Sequence, residues 1–337
     1  MARFSIILPV LNGGEYIREC LKSIFSQTNT DFTLHILDSG STDGTLEWIS
    51  ALPDPRVRLY RSDKLLSVEQ NWGRIKDIPR NEWMTIIGHD DKFYPNYLDV
   101  MDSLIHEYPD ARLLGTHFDF IDKNGKIFMK TNPMARKMMP AEFMEKMITN
   151  EIGVVSMMMR SADFDKIGGV PSYPSLLFAD FPFYIELARL SYVVISPENC
   201  LSYRIHNNNT TNSAKYELFY EAYENYIQYL VSLKLINEQF RAGINKTAKR
   251  LIRKRSIEFT SKLLRTPKAN RKSFKTISAL LKKHRQYADM LIDHNDYDPM
   301  QERSFKIAEF IDKTWLTRKL FVLVKRIYKG PILRIRG

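Results

Sequence analysis

Cysteine is almost missing from this chain. Its 337 residues include two, Cys20 and Cys200, with no C-x-x-C spacing. That excludes a disulfide framework and suits a reducing cytosol. Long apolar runs are missing as well. No stretch approaches the ~18 residues that a membrane-spanning helix needs. The apolar run before Pro9 is too short for a signal peptide and reads as a first strand. No G-x-G-x-x-G follows that strand, and no G-x-x-x-x-G-K-[ST] occurs anywhere. A dinucleotide fold of the common fingerprint type and a P-loop NTPase both lose support.

What is present divides in two. The hydrophobic share of 44% is ordinary for a globular protein, and the length suits one large domain or two smaller ones. The net charge of +11 is uneven. Residues 241–337 carry 26 Lys and Arg against 8 Asp and Glu, whereas residues 1–240 carry 24 against 31. A mildly acidic front, 1–213, and a basic helical rear, 214–337, are therefore expected to face different partners.

The front alternates between two periods. Phe4–Val10, 32–37, 57–60 and 84–87 read as short strands, the first and the last of them buried. The stretches 16–26, 46–52, 68–78 and 97–107 read as helices. Such alternation implies a parallel sheet with helical crossovers. A further strand, 111–120, passes back through the sheet, and 122–126 is a hairpin-like turn. In open α/β sheets, ligands sit beyond the carboxyl ends of the strands. Two polar loops lie there, 38–43 and 89–91, and they can converge on one ligand. The adjacent acids Asp90 and Asp91 suit a hard cation, Mg²⁺ or Mn²⁺, carrying a diphosphate. Taken alone, such a pair is more often a solvated turn.

Four motifs in register raise the reading. Ser5-Ile6-Ile7-Leu8-Pro9-Val10-Leu11-Asn12, Ser26-Gln27-Thr28, Leu37-Asp38-Ser39-Gly40-Ser41-Thr42-Asp43-Gly44-Thr45 and His89-Asp90-Asp91 together resemble family 2 glycosyltransferases of the GT-A fold. The resemblance runs over residues 4–207. It implies a nucleotide-sugar-binding α/β fold, with a mostly parallel central sheet flanked by helices. It also implies a divalent metal at the Asp-rich motif and an Asp base for inverting transfer. Carried over by residue, Pro9, Val10, Leu11 and Asp38 would border base and ribose. Asp91 would be the direct metal ligand, and Asp90 would lie nearer the ribose or metal. Two positions depart from the usual pattern. Ser39 stands where many members have a second Asp, and His89 stands where many have an acid. One carboxylate fewer leaves the diphosphate dependent on the metal and on donors such as Asn71 or Arg74. A solvated helix face is the other reading of these two.

Further along, 131–152 is rich in methionine, read chiefly as core filling and otherwise as a lid or acceptor edge. Asp180 stands among Phe178, Phe181 and Phe183 at a helix start. Apolar surroundings raise a carboxyl toward the range useful for a base. The stretch resembles the family segment whose Asp deprotonates the acceptor, with Ala179 replacing the usual Glu. Tyr203-Arg204-Ile205-His206-Asn207 resembles a closing motif, in which His206 would reach the metal or diphosphate. Asn208 and Asn209 begin formal glycosylation sequons that read as loop. The rear opens with an aromatic stripe at helical spacing, Tyr216 to Leu230, expected to pack on the front. It ends at 315–328 in a stretch both apolar and cationic, as suits a helix in a membrane interface.

Two functions follow. One is a metal-dependent inverting transferase on the inner, cytoplasmic face of a membrane. It would move a sugar from a nucleotide-sugar donor to a glycan or lipid-linked acceptor in cell-surface polysaccharide synthesis, with its tail on anionic lipid. The other is a nucleic-acid-binding protein using the basic helices. No nucleic-acid motif supports the second, so no nucleic acid partner is expected.

Overall fold

A computed structural model describes residues 2–206 and 216–327, the side chains of 325–327 excepted. The two sequons, Asn207 and the 213/214 boundary lie outside the described residues, as do Lys329, Arg334 and Arg336. The chain divides into two compact units, Met1–Ala214 and Lys215–Gly337.

The first unit is built on one sheet. Its strands are β1 (Phe4–Val10), β2 (Phe32–Asp38), β3 (Val57–Tyr60), β4 (Trp83–Ile86), β5 (Lys92–Phe93), β6 (Leu113–Ile121), β7 (Ile127–Lys130), β8 (Lys137–Met138), β9 (Met158–Arg160) and β10 (Val193–Arg204). The order is β3-β2-β1-β4-β9-β6-β10-β5, with β7 on β6 and β8 on β10. The β3-β2-β1-β4 half is parallel. Short β9 then runs antiparallel between β4 and β6, so β6 re-enters in the original direction, with β10 parallel to it. β1 is buried along its whole length. Its Phe-Ser-Ile-Ile-Leu-Pro-Val run is what a strand covered on both faces requires.

Helices α1 (Tyr16–Phe25), α2 (Thr45–Ser50), α3 (Val68–Gly73), α4 (Tyr97–Glu107), α5 (Pro140–Thr149), α6 (Ser161–Lys166) and α7 (Asp180–Ala188) belong to this unit. α1 turns Ile17, Cys20, Leu21 and Ile24 onto the sheet. The expected 68–78 helix is shorter, because the chain tightens into a 3₁₀ turn over Arg74–Asp77. Pro79 forces Ile78 into extended backbone, which ends the helix early. The methionines divide. Met138, Met144 and Met147 fill the core, while Met139 is exposed.

The second unit is helical: α8 (Tyr216–Lys234), α9 (Glu238–Arg265), α10 (Ile277–Leu291), α11 (Arg303–Lys313) and α12 (Trp315–Ile327). No described helix is long and apolar enough to cross a membrane. Part of the aromatic stripe packs within this unit. Tyr220 and Tyr223 pack edge-on and tilted against Phe259 of α9, and both rings adjoin His284 of α10.

Candidate active site

The site forms where β1, β2 and β4 end. Two loops are zipped together there. The Asn12 N–H donates to Ser41 Oγ, Gly13 N–H to Thr45 Oγ1 and Gly14 N–H to Asp43 Oδ2. Asn12 Oδ1 accepts from Thr42 N–H at 2.9 Å. Asp38 ends β2 fully buried and folds back on its own loop, accepting from the N–H groups of Gly40 (2.9 Å) and Ser41 (3.1 Å). Gly40 has φ +90°, and a Cβ there would lie 2.8 Å from the Lys64 carbonyl, so only glycine fits. Ser39 does not stand in for the missing second acid. Its N–H and Oγ both donate to the Val10 carbonyl, at 2.9 and 3.0 Å. Pro9 and Val10 are buried in the sheet, and Leu11 is exposed at its rim.

Asn71 and Arg74 do not form a solvated helix face. The capping box of Ser67 and Gln70 starts α3 and sets Asn71 one turn on. Asn71 is buried, and its Nδ2 donates to the Leu37 carbonyl at 2.8 Å. Arg74 donates to the carbonyls of Asp38 (2.9 Å) and Tyr60 (2.8 Å) and to Asn71 Oδ1. The pair satisfies the carbonyls where β2 and β3 stop, and thereby fixes Asp38.

After β4 the chain turns through Gly88, and Asp91 N–H closes onto the Gly88 carbonyl at 3.1 Å. A Cβ on Gly88 would meet Asp90 Oδ1 at 2.9 Å and Asp91 Oδ2 at 3.1 Å. The two carboxylates therefore occupy the space of a missing side chain. Gly88→Ala should push them off their positions while leaving the sheet intact. Misplacing catalytic groups by about 1 Å costs up to ~10²-fold in rate. Transfer kinetics beside an unchanged circular dichroism spectrum measure it, and unchanged kinetics would refute the crowding.

Arg204, at the end of β10, holds the acids. It is fully buried. Its backbone N–H donates to Asp91 Oδ1 at 2.9 Å, and its Nε to the Asp90 carbonyl at 2.8 Å. Nη1 reaches the carbonyls of Asp122 and Lys123 in the hairpin turn, and Nη2 meets Glu19 Oε2 of α1 at 2.8 Å. Its guanidinium lies over the Tyr16 ring at 4.4 Å. His206 Nε2 is 2.9 Å from Asp90 Oδ2.

Burial, with the Asp90 charge added, holds the Asp91 carboxyl well above the usual carboxylate range, against the hydrogen bond from Arg204. Burial also lowers the pKa of His89, so its ring is neutral at pH 7. Asp180 opens α7 and is exposed, whereas Phe178 and Phe183 turn into the core. The apolar enclosure expected around this carboxyl is therefore not built. Left-handed backbone at Ser175, Leu176 and Phe178 redirects the chain just ahead of it. Burial, and then the charges of Asp91, Asp90 and Asp180, push the Tyr203 phenol up to about 12.

Among the described residues, no three His, Cys, Asp or Glu side chains form a ready-made metal cage. Of the expected set of Asp91, Asp90 and His206, His206 Nε2 meets Asp90 Oδ2 and one Asp91 oxygen accepts from the Arg204 N–H. Two crowded carboxylates nonetheless fit a cation that draws its other ligands from a diphosphate and water, the usual habit of Mg²⁺.

Residues 5–167 match the sequence model of glycosyl transferase family 2. An uncharacterized glycosyltransferase of Rickettsia typhi is 26% identical over 224 residues, covering 65% of this chain and 69% of that protein. The glycosyltransferase GlyG of Streptococcus pneumoniae is 25% identical over 126 residues, 37% of this chain and 42% of GlyG. The crystal structure of S. aureus TarS 1–349 in complex with UDP-GlcNAc superposes with a TM-score of 0.60 at 14% identity, covering 96% of this chain and 92% of that one. Asp180, Arg204 and His206 lie beyond the family match.

Proposed function

We propose, for a chain whose residues 5–167 are a family 2 glycosyltransferase domain, an inverting, metal-assisted transfer of a sugar from a nucleotide-sugar donor to an acceptor hydroxyl. The observation carrying this reading is the Asp90–Asp91 pair crowded behind Gly88 and braced by buried Arg204 at the end of the parallel strands. The loops 11–14 and 38–45 border the nucleoside, as their zipped backbone and buried Asp38 suit. Asp90 and Asp91 would hold a Mg²⁺ or Mn²⁺, which when bound neutralises charge on the departing diphosphate. Arg204 keeps both acids aimed. Asp180 takes the acceptor proton as the hydroxyl oxygen attacks the anomeric carbon from the face opposite the diphosphate. One such displacement inverts the centre, so an α-linked donor yields a β-glycoside.

The acceptor in this reading is a glycan, carried on a lipid at the cytoplasmic face of a membrane in polysaccharide synthesis. The basic second unit supports that placement. The test is a donor screen with UDP-, GDP- and dTDP-sugars, each with and without Mg²⁺ or Mn²⁺. At least one should raise the melting temperature and be hydrolysed only with metal. A chain unmoved by every donor and metal would defeat the reading.

A further inference from the structure

The second unit wears part of an amphipathic surface outward. On α12, Leu316, Leu320, Leu323 and Val324 share one helix face and are 68, 61, 54 and 44% exposed. Trp315 beside them is 72% exposed, and Ile307 and Phe310 of α11 add 48 and 64%. Helices of globular proteins ordinarily turn such a face to the core. Here the opposite side of α12 is moored instead. Arg318 donates to the carbonyls of Thr266 (2.6 Å) and Leu264 (3.3 Å), which end α9. Its Nε lies 3.3 Å from Asp312, the partner of fully buried Arg271. Phe321, on that same moored side, is buried. At ~100° per residue, Arg318 stands roughly 160° and Phe321 roughly 100° from Leu320, so the anchoring that fixes α12 also turns its leucines outward.

Cations border the face. Lys306, Lys313 and Lys319 are exposed, and Lys319 Nζ lies 4.6 Å from the Trp315 ring centre. We infer that this face of α11 and α12 is a docking surface for an anionic lipid bilayer, its leucines entering the headgroup boundary and its lysines meeting lipid phosphates. Apolar area and positive charge are the two signals that stable peripheral binding requires. A second copy of the chain is the poorer occupant, because a twofold contact would set the same lysines against one another. The inference rests on the proposed membrane-side reading only for its address. Donor hydrolysis needs neither lipid nor this face.

The full chain is the right reagent. A cut before α11 would strip Asp312 from buried Arg271 and leave that charge unpaired. The full chain should sediment with phosphatidylcholine vesicles that contain phosphatidylglycerol, at ~0.15 M salt, and be released as salt rises. Leu316→Ser with Leu320→Ser should weaken that binding by about tenfold or more. Lys313→Ala with Lys319→Ala should weaken it by roughly 25-fold, near fivefold per lost cation. These side chains are exposed, so folding should be retained. A vesicle-induced blue shift in fluorescence should vanish in Trp315→Phe. Equal binding by the leucine variant, or none by the full chain, overturns the inference. So does a dimer that the leucine variant dissociates while vesicles go unbound. Bound vesicles without donor hydrolysis would sink the sugar chemistry and leave this surface standing.

Discussion

Asp180→Asn should lower sugar transfer by ~10²–10⁴-fold, the usual worth of a general base, with donor affinity nearly unchanged. The substitution keeps the shape and removes the proton acceptor. It sits at the exposed first residue of α7, while the rings that pack this segment, Phe178 and Phe183, remain in the core. Stability should move by only a few tenths of a kcal/mol, because one acid in a helix's first turn is worth little more. Steady-state kinetics should therefore show a fall in kcat, with the donor KM preserved. A loss smaller than about tenfold, well short of that range, would assign the base to another group.

Asp91→Asn should be as costly to transfer, by a different route. Loss of a carboxylate from the diphosphate end of the site should reduce the rate on the order of 10³-fold. The added stabilisation that a nucleotide gains from Mg²⁺ or Mn²⁺ should go with it. The same variant should be no less stable than the parent without metal, and more stable as pH rises. The sign follows from Asp91 being held above its ordinary value in the folded chain. The unfolded carboxyl ionises near 3.9, at about pH 4. Above that, the unfolded state loses a proton the folded state retains, so the parent loses stability with rising pH and the Asn variant does not. Denaturant titrations at several pH values would show it. A metal-free variant that is less stable than the parent throughout would mean that the crowding is not repulsive.

Phe4–Val10 was legible because burial on both faces leaves an unbroken apolar run. Val57–Tyr60 has the limits read for it, but it is a half-buried edge strand with Arg58 exposed. The Asp90–Asp91 pair was legible as well, since two acids after a glycine at a strand end are easily seen. Its support was not. Asn71 and Arg74 looked like ligand donors or solvated polar residues, and they bind carbonyls that no sequence displays. Arg204 stands inside the Tyr203–Asn207 stretch, and its role as the clasp depends on partners 113 and 185 residues away that the sequence does not place beside it. The placement of Asp180 was hidden for another reason. Three non-glycine residues with left-handed backbone precede it, and nothing in Ser175, Leu176 or Phe178 announces such a turn. The leucines of α12 stand out in the sequence as part of an apolar and cationic stretch, yet only the mooring of Arg318 tells which way they face.

The reach of Arg204 has a bearing on how the protein folds. Its bond to Glu19 spans 185 residues, and its bond to Asp91 spans 113. Closing loops of that length costs entropy that only late contacts return. During synthesis from the N-terminus, β1 to β4 can pair while the acid motif still lacks its clasp. The reaction centre is therefore the last part of the first unit to set, after β10 has been made and has slotted beside β6. Until then Asp90 and Asp91 stand near one another without the cation-bearing strand that steadies them.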